Sequence, residues 1–416
     1  MNERKTTKRF YLILTLGLLT AIGPFSIDMY LPSFPDIAKS LNTSIAQVML
    51  SLSSFFIGIS VGQLIYGPLL ERYGRKRPLY VGLSIYLVAS VGCALAGSVN
   101  YLIVMRLLQA LGGCVGMVAA RAMVRDLFAV EENAKIFSSL MLVIAVSPII
   151  APTLGGYITA AWGWRWVFGA LIIINLIILA AVHFMLPESK APNPHYSLKA
   201  RSIFQNFAEI FKHSQFFTYA FTGAIAASGL YAYISGSPNV FMEIFQVSEK
   251  QYGWIFATIA VGIISASQFN NLALRKYSSE QILKVTLPLQ SIIGLTLAVL
   301  AALDMNGLFL TIFLIFLFLA CQGFIFPNAS ALSMAPFGHS AGSASALMGA
   351  IQMFIGSAAS ALVSVLHFQS TLPMAGVMAL CATLAFMVFT FGNRRILRKA
   401  SRTIIEEEDV EMISTL

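Results

Sequence analysis

Charged residues are scarce in this chain. They occupy 11% of its 416 positions, whereas hydrophobic residues occupy 57% and the mean hydropathy is +0.78. A soluble globular domain carries about 25% charged residues. The shortage of charge therefore excludes an ordinary soluble domain and indicates a polytopic membrane protein.

Acidic residues are scarcer still inside the apolar stretches. Asp28 is the single carboxylate within any long stretch, and the other acidic residues fall at segment ends, in loops or in the tails. An ionisable group at membrane depth costs about 3 kcal/mol unless it is paired or hydrated, so it is a functional-site candidate by default.

Cysteine and histidine are too few and too dispersed to predict a disulfide framework or a metal site. The four cysteines lie in apolar stretches and pack there as small apolar groups: Cys93, Cys114, Cys321 and Cys381. The histidines lack ligand spacing: His183, His195, His213, His339 and His367. We expect no metal and no cofactor, and no nucleophile–base set or nucleotide loop indicates an enzyme.

Twelve stretches approach the roughly 20 apolar residues that a membrane-spanning helix needs. They are 11–31, 46–69, 79–96, 101–120, 134–160, 166–186, 216–237, 252–272, 282–303, 308–328, 341–366 and 372–392. The sequence therefore predicts an all-α membrane protein with twelve transmembrane helices.

Lysine and arginine positions predict the orientation of these helices. With the N-terminus inside, all but four of the 27 basic residues fall in cytoplasmic segments; Lys39, Arg165 and Lys250 lie outside, and Arg106 lies within a span. The positive-inside rule then places both termini in the cytoplasm. The net charge of +9 follows from this topology, so nucleic-acid binding is not expected.

One long polar break divides the spans into two sets of six. We predict an N-terminal bundle, 1–186, a cytoplasmic linker, 187–214, a C-terminal bundle, 215–392, and a cytoplasmic tail, 393–416. Within the linker, 202–211 fits an amphipathic helix on the inner membrane face, and a solvated linker fits equally well. The tail is basic and then acidic, which predicts disorder.

The loop between the second and third spans is short and basic. Two helices joined this closely need a tight turn, which Gly74 permits. Glu71 is an acid among cations, which suggests an ion-pair latch to a neighbouring helix end or basic group; a simple basic anchor is the alternative. The loop contributes Gly67, Glu71, Arg72, Gly74, Arg75 and Lys76.

The fourth and fifth spans contain unusual residues. Arg106 cannot shed its proton, so within a helix it must find an anion, carbonyls or water, unless it snorkels to a boundary. In the fifth span, prolines kink the helix and glycines let a neighbouring backbone approach: Pro148, Pro152, Gly155 and Gly156. A kinked packing helix would also account for this second pattern.

These motifs resemble signatures of the major facilitator superfamily. The loop is similar to G-x-L-x-D-R-x-G-R-K, with Glu71 where the family usually has Asp. The fifth span resembles the antiporter signature G-P-x-x-G-G of drug exporters, with Ala151 replacing the first glycine. The fourth span resembles R-x-x-Q-x-x-G at Arg106, Gln109 and Gly112. The resemblance implies two pseudo-symmetric six-helix bundles around a central cavity.

Two further strings resemble the Bcr/CflA branch of proton-coupled drug exporters. The first is S-x-D-M-Y-L-P, which begins at Ser26, and the second contains Arg121 and Arg125. The resemblance covers the N-terminal half well, whereas the C-terminal half matches mainly by its helix count. It implies that the first and fourth helices line the cavity and that Arg106 is linked to proton movement.

The depths of Asp28 and Arg106 can be compared. Asp28 lies eight residues before Asp36, or about 12 Å below the outer surface if the helix continues, and Arg106 lies about 9 Å below Asn100. The two residues can therefore lie level. We expect them to pair, either directly or through water.

We hypothesise a proton-driven antiporter that exports small amphipathic drugs, phenicol- or bicyclomycin-like, across the bacterial inner membrane as a monomer, with Asp28 carrying the proton. A dedicated exporter of a metabolite such as a siderophore or amino acid is the alternative, whereas the fifth-span signature argues against a nutrient importer. Candidate cavity residues, each individually more often a packing residue, are Tyr30, Phe34, Gln109, Tyr231, Tyr233, Asn239, Phe326 and Gln352.

Overall fold

The structure is a computed structural model that describes residues 2–128, 130–194, 200–337, 341–366 and 370–414. Within these ranges the chain is helical and contains no strand. The helices are α1 (Asn2–Asp28), α2 (Phe34–Ser40), α3 (Ile45–Tyr73), α4 (Lys76–Ala94), α5 (Val99–Leu127), α6 (Val130–Trp162), α7 (Arg165–Met185), α8 (Ala200–Lys212), α9 (Ser214–Pro238), α10 (Glu249–Ala273), α11 (Ser279–Ala302), α12 (Leu308–Met334), α13 (Ala341–Val365) and α14 (Leu372–Ser414). A 3₁₀ turn, Leu31–Ser33, precedes α2, and a π-helical segment, Asn239–Ile244, follows α9.

Ten helices among the described residues are long and apolar enough to cross a membrane. The remaining long helices are α6 and α9, which occupy the predicted fifth and seventh spans. Helix α9 is less apolar than the ten, since it contains several glycine, serine and tyrosine residues, and it is buried along much of its length. Each predicted span lies on a long helix, which confirms the all-α membrane fold.

Serine residues mark several helix starts at the membrane surfaces. The hydroxyls of Ser44 and Ser98 accept from the backbone N–H three residues later, at the starts of α3 and α5. Ser248 and Ser278 form capping boxes with glutamines at the starts of α10 and α11. A side-chain cap satisfies an N–H group that the first turn leaves unpaired.

The helices pack in two groups. Helices α1 and α3 to α7 contact one another, and so do α9 to α14, with α8 against α9 and α13. Contacts between the groups join α3 to α13 and α6 to α10, and the 3₁₀ turn meets α9 and α10. We call the end of the bundle that holds α2 the outer end and the opposite end the inner end.

The structure corrects two expectations about helix length. The first helix ends at Asp28 rather than at residue 31, because Pro32 lacks the N–H group that would donate to the Asp28 carbonyl in a continuing α-helix. The tail is helical to Ser414 rather than disordered, since its glutamate, arginine, isoleucine and methionine residues can continue the register of α14.

The linker contains a helix, α8, where the amphipathic pattern lies. Ile210 is buried and Phe211 is exposed, so this helix has one packed face. The described cysteines are all buried with free thiols. His195, His339 and His367 lie outside the described residues.

Candidate functional site

Asp28 lies at the break in the first helix. It is the last residue of α1 and is 4% exposed. The chain turns at Met29 and Tyr30 before the 3₁₀ turn begins. The Met29 carbonyl packs against Gly155 of α6, where a Cβ atom would collide with it. Asp28 therefore lies between a membrane-spanning helix and the short outer segment that meets the other group of helices.

Arg106 holds the chain on both sides of this acid. Its Nη2 donates to the Ser26 carbonyl at 3.0 Å, and its Nη1 donates to Gln109 Oε1 at 2.6 Å. The guanidinium carbon also lies 4.5 Å from the ring centroid of Tyr30. One cation thus binds the residues two before and two after Asp28, and it stabilises the break by occupying a carbonyl near the helix end.

No ion pair joins Asp28 and Arg106 in the part of the chain that the structure describes. Arg106 is 0% exposed and is enclosed by the rings of Tyr30, Phe55 and Phe168. The alternative in which its side chain snorkels to a membrane boundary is therefore wrong. Its bond to the Ser26 carbonyl confirms that the acid and the cation lie nearly level. Direct pairing is absent: the guanidinium donates instead to the Ser26 carbonyl and to Gln109 Oε1, and its Nε has no hydrogen-bond partner. Pairing through water stays a prediction.

Three tyrosines of the second helix group lie near Asp28. The carboxylate lies within electrostatic range of the hydroxyls of Tyr231, Tyr233 and Tyr252. The Tyr252 hydroxyl bonds to Ser237 Oγ at 2.8 Å, and Gln352 Nε2 donates to the Tyr231 hydroxyl at 3.5 Å. The acid therefore lies at the contact between the two groups.

The glycine pair of α6 contacts backbone from both helix groups. Gly155 accommodates the Met29 carbonyl, and Gly156 faces the Glu249 carbonyl at the start of α10, 2.6 Å from where a Cβ would lie. Gly253 of α10 likewise packs against the backbone of Thr153. The expected close approach of a neighbouring backbone is thus observed. Pro148 and Pro152 both lie inside α6.

The inner-end loop forms an ion-pair cluster. Arg75 Nη1 contacts Glu71 Oε1 at 3.1 Å, and Arg75 Nε donates to Asp126 Oδ2 at 2.7 Å. Lys190 Nζ contacts Glu71 Oε2 at 2.5 Å. Burial lowers the pKa of Arg75, but the hydrogen bond to Asp126 and the nearby carboxylates raise it overall, so this buried cation stays charged. The latch between Glu71 and a basic group is confirmed.

The linker segment 188–194 packs against this loop, and we call it the strap. Glu188 Oε1 accepts from the Arg75 N–H at 2.7 Å, and Oε2 accepts from the Lys76 N–H at 3.0 Å, at the start of α4. Arg72 donates to the Pro194 carbonyl. Gly74 adopts a φ of 82° beside Glu188, a conformation that favours glycine. This strap has no signal in the sequence beyond an acid near a proline.

The chain matches the family model of the Major Facilitator Superfamily over residues 16–361. The chain belongs to this superfamily. Like other members it is a transporter of small molecules that spans the lipid bilayer many times. Its helix packing also resembles a D-xylose-proton symporter, with a TM-score of 0.73 and 16% identity over 92% of this chain and 97% of that one. A second similar structure is an inward-facing bacterial homologue of the lysosomal transporter Spinster, with a TM-score of 0.67 and 14% identity over 92% and 95% of the two chains.

Curated relatives of this superfamily member cover nearly its whole length. A bicyclomycin resistance protein homologue of Haemophilus influenzae is 31% identical over 96% of this chain and 99% of its own. A chloramphenicol resistance protein of Pseudomonas aeruginosa is 28% identical over 93% and 92%, and the multidrug resistance protein MdtL of Escherichia coli is 28% identical over 90% and 93%. These relatives confirm the resemblance to the Bcr/CflA branch of the superfamily.

The candidate cavity residues of this transporter occupy different surroundings. Tyr30, Phe34 and Gln109 are fully buried within the first helix group, and Tyr233 is buried in the second. Gln352 is partly buried beside Tyr231, whose ring meets Phe56 of the first group. The other two candidates lie apart: Asn239 lines a small outer-end pocket, and Phe326 is 40% exposed. Of the arginines after the fourth span, Arg121 is partly buried and Arg125 is exposed.

Sequence reasoning missed a small cavity, with room for about one water molecule, inside the first helix group of the transporter. It lies among α1, α3, α4 and α5 and is lined by Gly23, Phe55, Ile59, Tyr86, Ala110, Gly113, Cys114 and Met117. These residues read as ordinary apolar helix positions. Only knowledge of which helices are neighbours would have grouped them.

Proposed function

We propose that this transporter is a proton-driven antiporter that exports small amphipathic drugs, phenicol- or bicyclomycin-like, from the cytoplasm. The names of its full-length relatives support drug efflux. The observation that carries proton coupling is Asp28, a buried carboxylic acid at a helix break between the two helix groups, with no cation paired to it in the described chain.

The chemistry of Asp28 suits a proton carrier. A carboxylate can be neutralised by a proton, whereas the guanidinium of Arg106 cannot lose one. We assign proton binding to Asp28 and the shaping of its surroundings to Arg106. Neutralising a buried charge removes a large desolvation cost, so occupancy by a proton can favour one arrangement of the helix groups over another.

Alternating access would then exchange a proton for a drug. The outer-end contacts of α6 with α10 and of the 3₁₀ turn with α9 and α10 close the path on that side. Rocking of one group against the other would open this path and expose Asp28 to the outer side. We place the outer end at the periplasm and both termini in the cytoplasm, with the protein a monomer in the bacterial inner membrane and the proton gradient as energy source.

Purified protein in proteoliposomes tests this function. An imposed pH gradient should drive uptake of chloramphenicol or bicyclomycin, and Asp28→Asn should abolish this exchange while the protein stays folded. Asp304→Asn is the matched control, because Asp304 is an exposed acid whose φ of 52° asparagine tolerates well. Full drug/proton exchange by Asp28→Asn would contradict the assignment of proton binding to Asp28.

A further inference from the structure

The hydroxyl of Tyr233 is buried without a partner. Tyr233 lies on α9 and is 1% exposed, and its ring stacks on Phe256 of α10 with centroids 5.4 Å apart. Stacking fixes the ring, yet the hydroxyl makes no hydrogen bond. A buried polar atom that is left unpaired needs an explanation, because nearly all such atoms in folded proteins have a partner.

Tyr233 differs in this respect from the other two tyrosines that lie near Asp28. The Tyr252 hydroxyl is bonded to Ser237, and the Tyr231 hydroxyl accepts from Gln352. These three share a neighbourhood and a chemical group, so burial alone does not account for the difference. Tyr233 holds the one hydroxyl of the three that has no hydrogen-bond partner at all.

Backbone packing brings α9 and α10, which carry these tyrosines, beside the end of α1 independently of any charge. The Met29 carbonyl rests on Gly155, and the adjacent Gly156 faces the Glu249 carbonyl. The first turn of α10 therefore lies beside the end of α1, and Tyr252 belongs to that turn. Its bond to Ser237 brings α9 alongside, one helical turn from Tyr233.

We infer that the Tyr233 hydroxyl is the hydrogen-bond donor that stabilises the Asp28 carboxylate once its proton has left, so that the second helix group completes the proton site. This inference rests on the proposed antiport function. Asp28 releases its proton to water, and Tyr233 keeps its own proton and only donates a hydrogen bond. A bond to a carboxylate is about twice as strong as one between neutral groups, so the donor favours the charged form.

The state of the proton then decides whether the helix groups are joined at this point. A charged Asp28 draws the hydroxyl towards it, whereas a neutral Asp28 makes a weaker bond or none. The other titratable groups around the acid are few, which keeps the test simple. On the side of the second helix group they are Tyr231 on α9 and Tyr252 on α10. On the other side is Arg106, which bonds to the Ser26 carbonyl and has Tyr30, Tyr86 and Cys93 around it.

The variant Tyr233→Phe removes one oxygen atom and keeps the stacked ring. Because that oxygen is unpaired, its loss should leave folding intact. In proteoliposomes the pH midpoint of drug/proton exchange should move to higher pH by about one unit, since the charged acid loses a donor. Tyr219→Phe is the matched control, because Tyr219 is a buried tyrosine near the inner end of the same helix whose hydroxyl donates to Asn393 Oδ1, and its midpoint should stay with that of the parent.

Two results separate this inference from the function on which it rests. If the parent protein shows no proton-linked export, the proposed function is wrong. If the parent exchanges normally and Tyr233→Phe has an unchanged midpoint, or Tyr219→Phe shifts equally, the role of Tyr233 is wrong. Drug binding adds a check: with Asp28→Asn already present, adding Tyr233→Phe should leave the pH dependence of binding unaltered, and a further shift would contradict the link to Asp28.

Discussion

The contact between Gly156 and Glu249 offers a way to shift the transporter towards outward opening. In Gly156→Ala, the new Cβ atom would lie 2.6 Å from the Glu249 carbonyl oxygen. Ordinary contact begins near 3.4 Å, so the two helix backbones must separate by about 0.8 Å. Neither partner is a flexible side chain that could move aside. Overpacking of this kind costs about 1–3 kcal/mol.

This cost falls on one conformation only. Helices α6 and α10 belong to different helix groups, so the strain exists where the outer end is closed and disappears where it opens. A difference of about 1–3 kcal/mol changes the ratio of the two states by about 5- to 150-fold. We therefore expect Gly156→Ala to populate an outer-open state and to slow export, because the transporter must close at that end to complete its cycle.

Distances between spin labels at the outer end measure this shift. Asn100 and Met305 are exposed residues of the two groups at that end, and the described native cysteines are buried, so introduced cysteines can be labelled selectively. The distance distribution should gain a longer component in Gly156→Ala. Gly376→Ala is the control, because a Cβ there meets no atom within 4 Å. An unchanged distribution in Gly156→Ala would refute the reasoning.

Two further predictions concern the strap and the helix break. Glu188→Ala removes the acceptor for the N–H groups of Arg75 and Lys76 and should lower the unfolding free energy by about 1 kcal/mol, seen as a lower melting temperature in detergent; an unaltered melting temperature would show that the strap does not stabilise the fold. Arg106→Met removes the donor to the Ser26 carbonyl and should shift the pH midpoint of exchange and lower stability. Arg106→Lys keeps a cationic donor, so its shift in midpoint and its loss of stability should both be smaller. Equal losses in the two variants would contradict a capping role.

Much of the fold was accessible from the sequence because membrane burial leaves a strong pattern. Apolar length identified the helices, and the glycine pair at Gly155 and Gly156 indicated a close approach of backbones that the structure contains. The acid at Glu71 indicated an ion pair, and its partners are Arg75 and Lys190. In each case a local physical cost, such as an unpaired charge or a missing Cβ, predicted a compensating contact.

The hydrogen-bond partners of each polar side chain were harder to predict than the side chains that would need a partner. Arg106 needed acceptors, and Asp28 was the obvious anion at the same depth, but the guanidinium binds Ser26 and Gln109 instead. Depth along two helices does not fix how each helix is rotated about its axis. The cavity beside α1 and the Glu188 strap depend on that rotation and on loop conformation, which periodicity does not encode.

Asp28 lies where α1 breaks, and this position is what could link its charge to the arrangement of the two helix groups. The second helix group has no carboxylate inside a predicted span, so it cannot bind a proton by the same chemistry. It can respond through neutral hydroxyls such as that of Tyr233 and through backbone contacts with the 3₁₀ turn that begins three residues after Asp28. On the proposed function, a change of charge at Asp28 would act beside the residues that close the outer end and would need no relay through either bundle to reach them.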